Sequence, residues 1–340
     1  MITDEAGGPD VLARTGHRIR AATAADLATC AAIWRESLND YLGRLAQPEI
    51  PDELATILRL YGHLHATDPA TFLVAETPAT RAGTGSESET PAIDAFVVVV
   101  RRDGLWFLSM LFVRPAAQGR GLGRALLEAV APSRANGDAG PVQARATATD
   151  TAQPISNGLY ASLGMVPRIP LLRLVGLPER PGAFEALPPG VEAIAFEEVA
   201  DTPDGLGQSA LTAELDALDR HAAGFTRPAD HRFVIQEGRI GFFYRDRGGR
   251  AIGYGYTSEA GRVGPIAVRD ETLLGPIVGH LVHAVRPRGA FGIWVPGTAG
   301  QAIVPLLRSG FRFESFPVLL CWDRPFADFS RYIPISPGLL

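Results

Sequence analysis

The sequence predicts an α/β (α+β) chain built as two copies of one domain, each a mixed, mostly antiparallel sheet flanked by helices. Three observations carry this reading. Between 105 and 130 an apolar strand, a glycine-rich turn and an amphipathic helix follow one another directly. Around them, strand-length apolar runs alternate with helical periodicities across short polar turns. Val268 to Val285 also aligns without gaps on Val113 to Val130, so the later half repeats the earlier one. A length of 340 residues suits two such domains better than one core.

Taken in order, residues 1–16 read as a loose polar tail, acidic near its start and unlike a signal peptide. His17 to Ala22 is a first strand. Thr23-x-x-Asp26 caps a helix whose Leu27, Ala31, Trp34 and Leu38 share one face. A second helix starts at Pro51, with Leu54, Ile57, Leu58 and Tyr61 inward. Thr71 to Ala75 is a strand, and Glu76 to Pro91, rich in Thr, Ser, Gly and Pro, is an exposed loop. Arg102-Asp103-Gly104 turns a hairpin between strands Ala92 to Arg101 and Leu105 to Val113. The next helix buries Leu122, Ala125, Leu126, Ala129 and Val130 at i, i+3, i+4, i+7, i+8. Strand Val142 to Ala148, a short helix from Ser156 to Leu163 stopped by Gly164, and strand Arg168 to Val175 complete the first domain. Four prolines mark Leu177 to Gly190 as a linker. A second meander follows at 240–245, 251–257 and 262–268. The predicted organisation is a tail at 1–16, a first domain at 17–176, a linker at 177–190 and a second domain at 191–340.

Composition narrows the partners. A formal net charge of −5 gives no electrostatic case for nucleic acid or an anionic membrane. No apolar run reaches membrane-spanning length. Cys30 and Cys321 are the two cysteines and no metal-ligand spacing occurs, so the expectations are a reducing, cytoplasmic setting and no metal. The chain is read as a monomer or homodimer.

The segment Val113-Arg-Pro-Ala-Ala-Gln118-Gly119-Arg120-Gly121-Leu122-Gly123-Arg124 carries the chemistry. A helix starting inside a glycine-rich turn gathers unpaired N–H groups and the positive end of its dipole, which together bind phosphate. Glycines at 119, 121 and 123 let an anion reach the backbone. A nucleotide P-loop is excluded, because Arg124-Ala125 stands where Lys-Ser or Lys-Thr belongs. A dinucleotide fingerprint also fails, since Arg124 or Leu126 would occupy its last small position.

What fits is Gln118-x-x-Gly121-x-Gly123 behind a strand ending in Val-x-Pro, which resembles the acetyl-CoA pyrophosphate loop of the GNAT N-acetyltransferase superfamily. The resemblance covers His17 to Val175. Its second mark is Asn157-Gly-Leu-Tyr160-Ala-Ser-Leu-Gly164-Met165, similar to the family's tyrosine-bearing helix. The resemblance implies that the backbone of Leu111, Phe112 and Val113 binds the pantetheine arm of acetyl-CoA and that the Val113 N–H polarises the acetyl carbonyl. It implies that Gln118, Gly119, Arg120, Gly121, Leu122, Gly123 and Arg124 hold the pyrophosphate and that Asn157 bonds the pantetheine. Tyr160 is the candidate general acid, a phenol able to give a proton to the departing thiolate. The implied reaction is direct acetyl transfer to a primary amine: a small molecule, an amino-acid-like compound or a peptide N-terminus. A CoA-binding regulator without turnover is the alternative, and a longer acyl group stays open.

The base stays open as well. Many relatives place a Glu on the strand before the loop, but Leu105 to Leu111 holds no carboxylate. Ser109 through a water, Asp150, the Leu340 terminal carboxylate and a water chain are the options. Asp219, Arg220, His221, Asp230 and His231 read as a surface charge network, with lining of the substrate cleft as the sharper alternative. Trp34 and Tyr61 read as core, or as contacts to the acceptor. In the repeat, Gly121 becomes Pro276, Gly123 becomes Val278, Gln118 becomes Leu273 and Tyr160 becomes Leu306. Proline removes an N–H and valine fills the anion's place, so only the first copy is expected to act.

Overall fold

The computed structural model describes residues 15–77, 91–132, 141–180, 182–200, 207–314 and 316–340. Most of the predicted tail and of the loop at 76–91 lies outside them. The chain divides into two compact units, Met1–Arg101 with Trp106–Val142, and Arg102–Leu105 with Gln143–Leu340.

In the first unit, β1 (Arg18–Ala21) leads through a short 3-10 turn into α1 (Leu27–Arg44), followed by α2 (Ala55–Thr67), β2 (Phe72–Glu76), β3 (Ile93–Arg102), β4 (Leu105–Val113) and α3 (Leu122–Ala129). The sheet order is β1-β2-β3-β4. Phe96 to Val100 are all buried, as a central strand covered on both faces requires. At the start of α1 the Asp26 carboxylate accepts from the Thr23 N–H at 2.7 Å and its hydroxyl at 2.8 Å. Arg20 bonds the same carboxylate and that of Glu76. The inner face of α1 differs from the expected one. Cys30, Ala31, Ile33 and Tyr41 are buried, whereas Leu27, Trp34 and Leu38 are half-buried. The second helix begins at Ala55 rather than Pro51, and its buried residues are Tyr61 and Leu64. Tyr61 is core, edge-on to Phe72 and Phe96.

The second unit holds β5 (Ala144–Asp150), α4 (Pro154–Ser162), β6 (Val166–Gly176), β7 (Glu192–Ala195), α5 (Phe196–Ala200), α6 (Gly207–Ala222), α7 (Pro228–Gln236), β8 (Ile240–Arg245), β9 (Ala251–Thr257), β10 (Arg262–Val263), β11 (Ile266–Val268), α8 (Leu274–Ala284), β12 (Phe291–Pro296), α9 (Gly300–Ser309), β13 (Arg312–Phe313), β14 (Val318–Trp322) and β15 (Tyr332–Ile333). The expected strand 262–268 is two strands. Pro265 offers no N–H to continue a ladder, and the chain changes sheets there: β10 pairs β12, while β11 pairs β9 and β15. One sheet runs β15-β11-β9-β8-β7.

The other sheet crosses the boundary that the linker suggests. β14, from the end of the chain, lies between β5 and β6, with Cys321 opposite Thr147 on one side and Pro167 on the other. The far half of β6 then pairs with β12, from Leu171 opposite Pro296 to Gly176 opposite Phe291. It also pairs with β13. Strands from both halves of the sequence therefore lie side by side in this one sheet.

Of the charged cluster expected at the surface, Arg220 and His221 are exposed, but Asp219, Asp230 and His231 are buried in the second unit. Arg227 and Asp219 are fully buried and paired at 3.2 Å. His231 bridges Asp219 and the Tyr256 hydroxyl at 2.8 Å each, and Tyr254 and Tyr332 complete the shell around Arg227. A buried ion pair survives only when its remaining donors and acceptors are met, which these tyrosines accomplish.

Candidate active site

Strand β4 delivers the chain to the glycine-rich loop, and its end is fixed from several sides. Arg114 donates its N–H to the Asp94 carbonyl at 2.8 Å and its Nε to the Ile93 carbonyl at 3.0 Å, and it pairs with Glu36. The Val113 carbonyl accepts from the Ser37 hydroxyl and from the Gln118 amide, both at 3.0 Å. Gln118 thus braces the loop with its side chain. Leu111, Phe112 and Val113 are half-buried.

Gly119 and Gly121 have φ of +78° and +80°, a region that side-chain-bearing residues avoid, and a Cβ on either would meet nothing within 4 Å. The loop is consequently both left-handed and open. Gly121 caps α3, and its carbonyl accepts from the Ala125 N–H at 3.0 Å. Among the described residues, no acceptor faces the N–H groups of Gly119, Arg120, Gly121, Leu122, Gly123 or Arg124. Leu122, Ala125, Leu126 and Val130 are buried as expected; Leu127 joins them and Ala129 faces outward. Trp106 closes the far end of α3 with a bond from its indole to the Val130 carbonyl. Arg120 and Arg124 are exposed. This is a helix start with free donors and two cations beside it, which suits a polyanion.

Asn157 and Tyr160 sit on α4, in the second unit. Asn157 Nδ2 donates to the carbonyls of Gln153 at 2.8 Å and Asp150 at 3.0 Å, pinning the β5–α4 turn. Its Oδ1 is buried without a partner among the described residues. An orphaned buried acceptor costs about 1–3 kcal/mol, so Oδ1 is ready for an N–H donor. Tyr160 is buried. Burial raises its phenol above the ordinary value, a hydrogen bond with Ser156 pulls the other way, and Cys321 raises it further. Gly164, at φ +86°, ends the helix, and the Met165 N–H returns to the Tyr160 carbonyl at 3.0 Å.

The candidate bases separate. Asp150 accepts the Ala152 N–H at 3.0 Å as a turn cap. Ser109 is half-buried on β4. Leu340 is buried within the second unit, where the tail is anchored by β15 on β11. Among the described residues, no group of His, Cys, Asp and Glu could hold a metal, and no helix is long and apolar enough to cross a membrane. The sequence reading missed Ser156, although its i, i+4 spacing to Tyr160 was visible, and Ser37 and Cys321, which only the fold brings to the site residues.

In the repeat, the matching helix start is closed. Leu274 to Gly279 are all buried at the start of α8, and a Cβ on Gly275 would lie 2.7 Å from the Gln301 carbonyl of α9. Pro276 falls in the first turn, where the missing N–H costs nothing. Leu306, in place of Tyr160, is fully buried.

Residues 68–166 match the family model described as an acetyltransferase (GNAT) domain. Two solved structures span nearly the whole chain. A candidate acetyltransferase from Pyrococcus horikoshii covers 96% of both chains at 15% identity with a TM-score of 0.66. A GCN5-related N-acetyltransferase from Sphaerobacter thermophilus covers 93% of this chain and 98% of its own at 17% identity with a TM-score of 0.56. Comparison with curated proteins gives no match. A GNAT acetyltransferase domain model thus matches residues 68–166, and the chain as a whole shares its fold with solved acetyltransferases.

Proposed function

We propose that this protein is an acetyl-CoA-dependent N-acetyltransferase whose machinery lies in residues 17–176 and whose acceptor is a primary amine. The observation that carries the reading is the open, left-handed loop at Gly119 and Gly121 with unaccepted N–H groups. Its backbone from Gln118 to Arg124 would grip the pyrophosphate, with Arg120 and Arg124 adding charge. The backbone of Leu111 to Val113 would carry the pantetheine, and the free Oδ1 of Asn157 would accept one of its amide N–H groups. Tyr160 would donate to the sulphur as negative charge develops there; its burial keeps the phenol protonated. With no carboxylate on β4, water rather than a dedicated base would take the amine's proton. The degenerate half binds no nucleotide in this reading.

Two measurements test it. Calorimetric titration with CoA should give one site per chain, and acetyl-CoA consumption across a panel of primary amines, amino acids and peptides should identify an acceptor. Binding without consumption for any acceptor would replace the enzyme with a CoA-binding regulator. No binding would remove both readings.

A further inference from the structure

The half that lacks an anion loop places one of its strands under the helix that bears Tyr160. α4 crosses from β5 to β6, and the strand between those two is β14, from the other end of the chain. Four hydrogen bonds fasten its two ends there. The Pro317 carbonyl accepts the Thr151 N–H at 3.3 Å, beside the turn that Asn157 pins. At the other end, Asp323 accepts the Arg145 N–H at 2.8 Å and its Nε at 2.9 Å, while the Asp323 N–H returns to the Arg145 carbonyl at 3.0 Å. The same Arg145 and Asp323 flank Gly164, the residue that ends α4. Between these clamps lies Cys321, fully buried, whose side chain is among the groups acting on the Tyr160 hydroxyl.

We propose that Cys321 and Asp323 are positioning residues for Tyr160, so that the degenerate half takes part in the chemistry through its exchanged strand. The proposal rests on the reading of Tyr160 as donor to the leaving sulphur. Cys321 is buried in the strand between these clamps, and Asp323, through Arg145, holds the Gly164 end of α4. Neither side chain is assigned a contact with substrate. Their effect should therefore appear in kcat, and only while the Tyr160 hydroxyl is present.

The experiment is a double-mutant cycle on the full chain, read as thiol release from acetyl-CoA with the most active amine of the panel. C321A and D323A should each lower kcat about tenfold, the coupling expected of neighbouring groups, and leave KM for acetyl-CoA within about twofold. C321S, which restores most of the volume, should recover most of the loss. In a Y160F background both substitutions should cost less than about twofold, because there is no hydroxyl left to place. Equal losses with and without the hydroxyl would show a merely structural role and overturn the proposal alone. A Y160F protein with undiminished kcat, or a wild-type chain silent with every amine, would overturn the underlying reading and the proposal together. If C321A or D323A fails to fold, D323N supplies the same cycle.

Discussion

Tyr160 loses nearly all of its water, which raises its phenol, while Ser156 pulls the other way. A phenol so held stays protonated at any assay pH, so its use is to donate. Y160F should lower kcat about a hundredfold, the low end for loss of a positioned acid, while steady-state KM and calorimetric CoA affinity change little. Asp26 shows the opposite balance. Burial works against its charge, but the Arg20 guanidinium and the Thr23 donors outweigh that and hold the carboxyl down to about 2. Its folded value lies below the ordinary 3.8. The stability it contributes is therefore present above pH 3.8 and is lost as pH falls through about 2. D26N should be less stable than wild type near neutrality and show a flatter acid limb across that window. Denaturant midpoints at a series of pH values measure both effects.

At the scale of elements, the two helix starts of the repeat form a controlled comparison. The start of α3 is open at Gly119 and Gly121, while that of α8 is roofed by α9 and carries Pro276 and Val278. G123V imports one difference. A Cβ at 123 lies 3.8 Å from a Val113 methyl and 3.9 Å from a Leu111 methyl, ordinary contacts, so the fold should tolerate it. Its branched methyls would crowd the N–H groups the anion needs, and CoA affinity should fall at least about tenfold with little change in melting temperature. Retained affinity would show that the pyrophosphate sits elsewhere. This loop was legible in the sequence because local spacing alone determines it: strand, glycines, apolar stripe. The face of α1 was less legible, since Trp34 and Ile33 are equally apolar on paper and tertiary packing chose Ile33. The break in the strand at 262–268 was signalled by Pro265, which has no N–H to continue a ladder. The placement of β14 was not legible at all. The pairing joins residues some 150 positions apart, far beyond any local pattern.

For the whole molecule, two features bear on stability. One is the buried ion pair of the second unit. Replacing Asp219 with Asn would leave Arg227 charged and uncompensated among Tyr254, Tyr332 and His231. Breaking such a pair costs about 3–5 kcal/mol, so D219N should show a large loss in denaturant midpoint. The other is the strand exchange, which bears on where the chain can be cut. A fragment ending at residue 176 contains every residue proposed to touch acetyl-CoA, and the linker invites the cut. It would nonetheless leave β5 and the near half of β6 without β14, and the far half of β6 without β12 and β13. Both faces of that gap would expose unpaired N–H and carbonyl groups, and Leu171 and Leu174, now fully buried, would lose their cover. The fragment should aggregate or melt without cooperativity in calorimetry, and supplying residues 177–340 as a second chain should restore a cooperative transition. A soluble, cooperatively melting fragment would mean that β5 and β6 close on each other without the exchanged strand, and the degenerate half would then be dispensable to the first.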